Sequence, residues 1–141
     1  MSPAAHPPVE TRLRVRYAET DQMGVAYHAN YMVWMEVGRV EYFRAAGLRY
    51  RDLERDDGIL LLVAELGCRF TAPAFYDQEV IVRTTLVAAT PRMIHFDYEL
   101  VAAEDSSVLA TGFTKHVFCG RNRRATKIPE KYRGLFGMAS L

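Results

Sequence analysis

One stretch of the chain, about residues 30–46, limits the possible folds more than any other. It has helical features, and apolar side chains occupy most of its faces. Asn30 is suited to cap its start, and Gly47 stands where a glycine commonly follows the last turn of a helix. A helix that is apolar on most faces has to be buried. The rest of the chain must therefore supply the elements that surround it.

Strands are predicted on both sides of this helix. Residues 12–17 alternate between arginine and apolar side chains, a pattern typical of a strand with one solvent-exposed face. Short helical turns are predicted within 51–57 and near Pro129. Four longer strands follow the long helix, separated by charged or turn-rich segments: 59–70, 80–89, 93–103 and 108–119. This order predicts an α+β fold in which an antiparallel sheet curls around one central helix.

The length of 141 residues fits a single domain. Residues 1–10 contain three of the six prolines and are predicted to form a disordered lead, which leaves residues 11–141 as the domain. A curled sheet of this kind keeps open edges, which favours an oligomer.

Composition excludes several classes of protein. The chain has 18 Lys and Arg against 17 Asp and Glu, a formal charge of +1, whereas nucleic-acid binders usually show a basic excess. Cys68 and Cys119 form no CxxC pattern, which argues against a disulfide scaffold and suits a reducing cytoplasm. No apolar run is long enough to span a membrane, and no signal peptide is apparent. We therefore expect a cytoplasmic protein without a membrane span.

The motifs of metal, nucleotide and α/β-hydrolase sites are missing from the sequence, which disfavours cofactor chemistry. The chain has no HxH, HExxH or cysteine cluster, so we expect no metal site. It has neither GxGxxG nor a phosphate loop, which disfavours dinucleotides and ATP, and it lacks the GxSxG elbow of α/β-hydrolases. We expect no cofactor.

The segment 17–31 contains the candidate catalytic groups. It contains a strand end, a turn with two carboxylates (Glu19 and Asp21), and the approach to the long helix. The N-terminus of a helix presents unpaired N–H groups that can polarise a carbonyl or bind an oxyanion. A carboxylate beside those groups can act as a nucleophile or a base. This combination is suited to acyl transfer.

The same segment resembles the signature of hotdog-fold acyl-CoA thioesterases, in the 4-hydroxybenzoyl-CoA thioesterase and YbgC-type branch. The resemblance covers about residues 12–130 and includes 71–74 with Asp77. It implies a hotdog fold, dimers that join their sheets edge to edge and often pair into tetramers, and active sites at the dimer interface. The matching residues are Tyr17, Glu19, Thr20, Asp21, Gly24, Val25, Tyr27, His28, Asn30, Tyr31, Glu36 and Arg39.

By this resemblance Asp21 is the catalytic carboxylate, although an aspartate in such a loop can instead form only an Asx turn. Whether Asp21 attacks the thioester or activates a water is left open by the sequence. Glu19 is interpreted as structural or paired with an arginine. His28 belongs to the catalytic site through its backbone N–H, which the resemblance places at the thioester carbonyl. Its ring either packs at the helix start or serves as a general acid.

The resemblance also indicates residues that contact substrate. Gly24 provides a backbone conformation that other residues avoid, and Tyr27 lines the acyl pocket or packs beneath it. Arg92, in a turn between strands, is the favoured anchor for the phosphates of coenzyme A. The alternatives are the basic cluster Arg121, Arg123 and Arg124, or that all these arginines form only a solvated surface. The candidate substrate-binding residues are Gly24, Val25, Tyr27, Asn30, Tyr31 and Arg92.

The long helix also contains a pair of oppositely charged residues. Glu36 and Arg39 are three residues apart, which predicts an ion pair on one helix face. A structural pair is favoured over a role for Glu36 in handling a substrate water.

The sequence therefore predicts an acyl-CoA thioesterase that forms a homodimer or homotetramer. It would hydrolyse an acyl-CoA to a carboxylic acid and free CoA. Two alternatives stay open because the same fold hosts them. One is a hydroxyacyl-thioester dehydratase that uses His28 and Asp21 as a proton shuttle, and the other is a non-catalytic acyl-CoA-binding protein. The sequence does not set the length or the aromatic character of the acyl group.

Overall fold

The strands of the computed structural model, which describes residues 6–138, form one antiparallel sheet. They are β1 Val9–Arg14, β2 Leu60–Phe70, β3 Glu79–Ala89, β4 Met93–Ala102 and β5 Val108–Cys119. Their order in the sheet is β1–β3–β4–β5–β2, and every neighbouring pair is antiparallel. The short strand β1 and the long strand β2 are therefore the two edges.

One helix dominates the inner face of the sheet. The helices are α1 Ala29–Ala45, α2 Tyr50–Asp57 and α3 Glu130–Arg133, and 3-10 turns cover Tyr17–Glu19 and Gly134–Phe136. Gly38 lies where α1 crosses β3, since a Cβ atom there would stand 2.5 Å from Thr84 Oγ1 and 2.8 Å from Val82 Cγ1. The missing side chain lets the helix approach the sheet closely. The predicted α+β fold, a sheet around one long helix, is confirmed.

The N-terminal boundary differs from the expected one. Val9 and Glu10 already belong to β1, where they pair with Thr84 and Arg83. The disordered lead predicted over residues 1–10 therefore overlaps a strand. Its first five residues, and residues 139–141 at the other end of the predicted domain, lie outside the described residues.

Helix α1 is covered on one side and open on the other. Trp34 and Met35 are at most 2 % exposed, whereas Val33 and Val37 are 46 % and 38 % exposed. The prediction of a helix buried on most faces is wrong for this side, because a single sheet contacts only one side of a helix. The exposed valines and the half-exposed Leu66 of β2 leave an apolar strip along the seam between α1 and β2.

Candidate active site

A tight hairpin, residues 20–26, carries the carboxylate that the sequence analysis singled out. Thr20 and Ala26 form an antiparallel bridge, and the Asp21 N–H donates to the Val25 carbonyl at 2.9 Å. Gly24 closes the turn with a φ of +79° and donates its N–H to the Asp21 carbonyl at 3.0 Å. This φ is one that glycine adopts without strain, in line with the role predicted for Gly24. The hairpin fixes the backbone of Asp21.

The side chain of Asp21 is half-buried, and one of its two carboxylate oxygens accepts a hydrogen bond. Its Oδ1 accepts the Met23 N–H at 2.8 Å, which is an Asx turn. Within residues 6–138, Oδ2 accepts no hydrogen bond and the carboxylate forms no ion pair. The Asx turn and a chemical role are therefore compatible, because the turn orients the carboxylate and leaves one oxygen free.

Helix α1 begins at Ala29, one residue earlier than the sequence indicated. His28 occupies the N-cap position, and the Asn30 and Tyr31 N–H groups bond the carbonyls of Tyr27 and His28 at 2.9 and 3.2 Å. In the part of the chain that the structure describes, the N–H groups of His28 and Ala29 have no acceptor. These two N–H groups are free to meet an oxygen at the helix N-terminus, where the helix dipole favours negative charge.

Asn30 does not cap the helix as predicted. Its side-chain amide instead donates to the carbonyl of Glu19 at 2.9 Å. The Tyr27 N–H donates to the same carbonyl at 2.8 Å. Glu19, at the base of the hairpin, thereby joins Asp21's loop to the start of α1.

Glu19 is a buried carboxylate, only 4 % exposed. It accepts the Arg16 N–H at 2.8 Å and the Trp34 indole N–H at 3.0 Å, and it forms an ion pair with Arg16 at 3.5 Å. Burial by itself raises the pKa of Glu19, but the hydrogen bonds from Arg16 and Trp34 outweigh it and hold the pKa below its ordinary value. The predicted pairing with an arginine is confirmed, whereas the bond from Trp34 was missed.

Aromatic rings surround the helix start. The exposed His28 ring packs against the Tyr27 ring at 4.3 Å between centroids, with the two planes inclined by 45°, and meets Phe70 of β2 edge-on at 6.3 Å. The buried Tyr31 contacts Phe70 at 5.0 Å. No hydrogen bond joins His28 to Asp21 among the described residues. The structure thus brings Tyr27, His28 and Tyr31 together around Phe70, and Val25 bridges to Phe75 on the neighbouring segment.

Arg92 lies elsewhere. Its carbonyl accepts the Phe118 N–H near the end of β5, whereas His28 contacts Phe70, which pairs with Ala110 near the start of β5. Eight residues of strand separate Ala110 from Phe118, or about 27 Å. Within one chain the structure does not bring Arg92 to Asp21 and His28.

The alternative basic cluster is partly engaged in structure. Arg121 donates to the carbonyls of Glu54 and Arg55 at the end of α2, at 3.5 and 2.7 Å. This arginine caps a helix C-terminus, where a positive charge is favourable. Arg124 is exposed, and Arg123 is exposed with a φ of +63°.

The predicted ion pair between Glu36 and Arg39 does not form. Arg39 instead donates to the Tyr98 hydroxyl at 3.1 Å, and a buried chain continues from Tyr98 to Thr114 and on to His116, each step at 2.7 Å. These partners are 59 or more residues from Arg39 in the chain, so helical spacing gave no signal for them.

Between residues 6 and 138 no group of three or more His, Cys, Asp or Glu side chains is arranged to hold a metal ion. In the same range no helix is long and apolar enough to cross a membrane.

The arrangement joins a carboxylate with one free oxygen to a helix N-terminus with two free N–H donors. Such donors polarise a carbonyl and stabilise an oxyanion, and the carboxylate can attack a carbonyl carbon or take a proton from water. The geometry is therefore suited to the cleavage of an activated acyl group.

Comparison with known proteins points the same way. A family model described as thioesterase-like superfamily matches residues 15–136. The chain is 46 % identical over 72 residues to YneP of Bacillus subtilis, which is provisionally named an acyl-CoA thioesterase; the match covers 51 % of each chain. The chain thus aligns with about half the length of this relative.

Solved structures share the fold. The hypothetical protein TT1821 of Thermus thermophilus superposes with a TM-score of 0.84 at 43 % identity, covering 89 % of this chain and 95 % of that one. The DHNA-CoA thioesterase of Staphylococcus aureus superposes with a TM-score of 0.83 at 31 % identity, covering 89 % and 83 %.

Proposed function

This chain belongs to the thioesterase-like superfamily, and we infer from that membership that it is a thioester hydrolase acting on acyl-CoA. Similarity to YneP and to the Staphylococcus aureus thioesterase supports the class of reaction. The observation that carries the assignment of residues is the junction at Glu19. It holds the Asp21 hairpin against the first turn of α1, where two N–H donors are free.

In the proposed reaction the thioester carbonyl lies at the N-terminus of α1 and accepts the His28 N–H. The free Oδ2 of Asp21 is the reacting atom. If it attacks the carbonyl carbon, an acyl–aspartyl anhydride forms, the CoA thiolate leaves, and water then hydrolyses the anhydride. If it acts as a base, it takes a proton from the water that attacks. If water attacks the aspartyl carbonyl carbon of the anhydride, a single turnover in ¹⁸O-labelled water places label in Asp21, which the base route never does.

The dehydratase alternative requires a proton shuttle between a histidine and a carboxylate. His28 and Asp21 share no hydrogen bond among the described residues. The non-catalytic alternative requires a carboxylate that is unavailable, whereas Oδ2 of Asp21 is free. Both observations favour hydrolysis.

We propose a homodimer, which can pair further into a homotetramer, built on the open edge of β2. This edge is 11 residues long, and Leu62, Val63 and Leu66 on it are 44 to 49 % exposed. An exposed apolar edge strand invites pairing with another strand, and a two-fold axis pairs two copies of β2 in antiparallel fashion.

This pairing also suggests a place for Arg92 in substrate binding. Antiparallel β2 strands put the Phe70 end of one beside the Leu60 end of the other, and Leu60 pairs with Cys119, next to Phe118 and the Arg92 turn. The Arg92 turn, which contacts β5 about 27 Å along the strand from the end beside Phe70, would then lie near the active site of the other subunit. We propose that it anchors the phosphates of CoA there as a charged hydrogen-bond donor.

We propose that the enzyme acts in the cytoplasm. Cys68 and Cys119 are both free thiols, which suits a reducing compartment.

A free-thiol release assay over short, long and aromatic acyl-CoA substrates tests the proposed function. Hydrolysis of at least one substrate that depends on Asp21 supports it. Absence of thiol release across the whole panel, with the protein folded, would refute it.

A further inference from the structure

Two oppositely charged side chains, Glu36 and Arg39, face the open seam between α1 and β2. Both line the groove in this seam, together with the apolar residues Val63 and Leu66 of β2. Glu36 is exposed, and among residues 6–138 its carboxylate accepts no hydrogen bond and forms no ion pair. A single chain therefore carries an unpaired negative charge beside an apolar strip.

Arg39 contacts the sheet rather than Glu36. One of its N–H groups donates to the Tyr98 hydroxyl at 3.1 Å, and Tyr98 is in turn bonded to Thr114 at 2.7 Å. In the described part of the chain no carboxylate lies within ion-pair distance of Arg39. Because a guanidinium has five N–H donors, Arg39 keeps donors for a carboxylate that another molecule supplies.

The two-fold axis of the proposed dimer passes close to both side chains. An axis that pairs the 11 residues of β2 with a second β2 passes near the middle residue, Glu65, which pairs with Lys115 of β5. Arg39 lines the groove beside Thr114, the next residue of β5. Glu36 stands three residues before Arg39, about 4.5 Å along the helix axis. Both charges therefore lie beside the two-fold axis rather than at the ends of the interface.

The symmetry of this dimer allows reciprocal contacts between the two copies of α1. Helix α1 runs opposite to β2, since His28 at its start contacts Phe70, whereas Tyr50, which follows its end, donates to the Leu61 carbonyl. The two copies of α1 therefore run antiparallel on either side of the axis, as the two β2 strands do. A residue before the axis on one copy then faces a residue after the axis on the other, and each such contact forms twice.

We propose that Glu36 forms an ion pair with the partner's Arg39 across this axis, twice per dimer, and that these pairs set the register in which the two β2 strands meet. The inference rests on the dimer that belongs to the proposed function. Burial of a charge without a partner is costly, so covering the seam is favourable only where each carboxylate meets a guanidinium. Leu62, Val63 and Leu66 by themselves specify no register, because apolar contact is non-directional.

The register matters for the reaction because the proposed dimer brings the Arg92 turn of one subunit to the active site of the other. A slip of one β2 strand by two residues would move that turn by about 7 Å, which is more than a hydrogen bond spans. Glu36 and Arg39 are therefore positioning residues, which act on the active site through the placement of the partner subunit.

The test mixes two charge-reversed chains. Glu36→Arg brings positive charges together in its own homodimer, and Arg39→Glu brings negative charges together, so the Kd of each homodimer should rise at least about a hundredfold. In an equimolar mixture each chain meets the opposite charges of the other, and a heterodimer should form. Light scattering at micromolar concentration measures the mass, and thiol release should recover in the mixture. Repulsion within one chain would persist after mixing, so only a contact between chains is rescued.

Glu41 and Arg44 supply the matched control, because they stand three residues apart on the same helix and pair within the chain. Glu41→Arg and Arg44→Glu should each leave the homodimer intact, and mixing them should change nothing. If Arg39→Glu fails to fold without its bond to Tyr98, Glu36→Gln and Glu36→Arg are compared instead. The Kd should rise about tenfold in the first and about a hundredfold in the second, because glutamine removes an attraction and arginine adds a repulsion.

Three results would overturn the inference: a native chain that is a monomer, charge-reversed variants that dimerise like the native chain, or a folded mixture that stays monomeric. In the fallback comparison, unchanged Kd values would do the same. Failure of the proposed reaction is a different result, in which the native protein releases no thiol from any acyl-CoA. The mass of the mixture still decides in that case whether the ion pairs form.

Discussion

The indole N–H of Trp34 donates to the carboxylate of Glu19 at 3.0 Å, across 15 residues of chain. Glu19 precedes the Asp21 hairpin by one residue, and Trp34 lies in the second turn of α1. Together with the Asn30 amide on the Glu19 carbonyl, this bond fixes the reacting carboxylate relative to the helix N-terminus. In a thioesterase that depends on both groups, the relative position of the two sets the rate.

Removal of the Glu19 carboxylate should therefore lower both stability and turnover. Glu19→Ala leaves the Trp34 indole and the Arg16 N–H without acceptors, which costs about 1–3 kcal/mol per buried group. We expect kcat to fall about tenfold or more in the protein that remains folded. Urea unfolding followed by the fluorescence of Trp34, the single tryptophan, and thiol release measure the two effects. Glu10→Ala is the control, because Glu10 of β1 is an exposed partner of Arg83 and should change stability by less than about 1 kcal/mol.

Asp21→Asn should abolish most of the activity without unfolding the protein. The amide oxygen can still accept the Met23 N–H, while the charge and nucleophilicity are lost. We expect kcat to fall at least ~10²-fold. Asp105→Asn is matched to it, because Asp105 accepts the Ser107 N–H in the same kind of turn far along the chain. Thiol release by Asp21→Asn near the native rate would remove Asp21 from the mechanism.

Arg92→Ala should raise KM for an acyl-CoA with little change in kcat, because a phosphate contact stabilises ground and transition states alike. Added salt should mimic the loss, since exposed charges are screened within about 8–10 Å at physiological ionic strength. A pantetheine thioester, which lacks the nucleotide, should respond to neither change. An Arg123/Arg124 double alanine variant tests the remaining basic cluster. An unchanged KM in both variants would leave these arginines as a solvated surface.

Leu62→Lys should shift the assembly toward monomers and reduce activity, because it places a charge on the open β2 edge. Light scattering at micromolar concentration measures the mass. Val87→Lys is the control. Val87 is 42 % exposed and Leu62 44 %, but Val87 belongs to β3, which has a neighbouring strand on both sides. A native protein that is active as a single chain would contradict the proposed dimer.

The buried His116 should make the protein acid-sensitive. Its pKa is about 3 in the folded state against an ordinary 6.5, so the unfolded chain binds one more proton between these values. The free energy of unfolding is therefore unaffected by His116 well above pH 6.5. Between pH 6.5 and about pH 3 it falls by about 1.4 kcal/mol per pH unit as the pH decreases.

The effect of Glu19 on the pH dependence of stability can be separated from that of His116. The pKa of Glu19 is lowered from 4.5, so this residue adds a loss only as the pH falls below that value. Urea unfolding between pH 6.5 and 5 therefore reports on His116. The variant His116→Gln, compared with the native chain, should show a shallower slope in that range, and an unchanged slope would contradict the assignment.

The sequence by itself determined the elements and the location of the chemistry. Period-two alternation and apolar runs predicted all five strands to within a few residues, because side chains alternate across a sheet whatever its neighbours are. The segment 17–31 pointed to Asp21 and to the start of α1 because its residues are close in the chain. Asn30 and Gly47, interpreted as end signals, also placed the long helix within one residue of its observed ends.

Only the tertiary structure decided which side chains meet. The bonds from Trp34 to Glu19 and from Arg39 to Tyr98 depend on how α1 crosses the sheet, and that crossing is set by Gly38 against β3 rather than by helical spacing. The way α1 crosses the sheet also decides which side of the helix stays exposed. Apolar residues such as Val33 and Val37 indicate that their burial is favourable. The sequence does not determine whether the same chain, a ligand or a second subunit buries them, because the hydrophobic effect is non-directional.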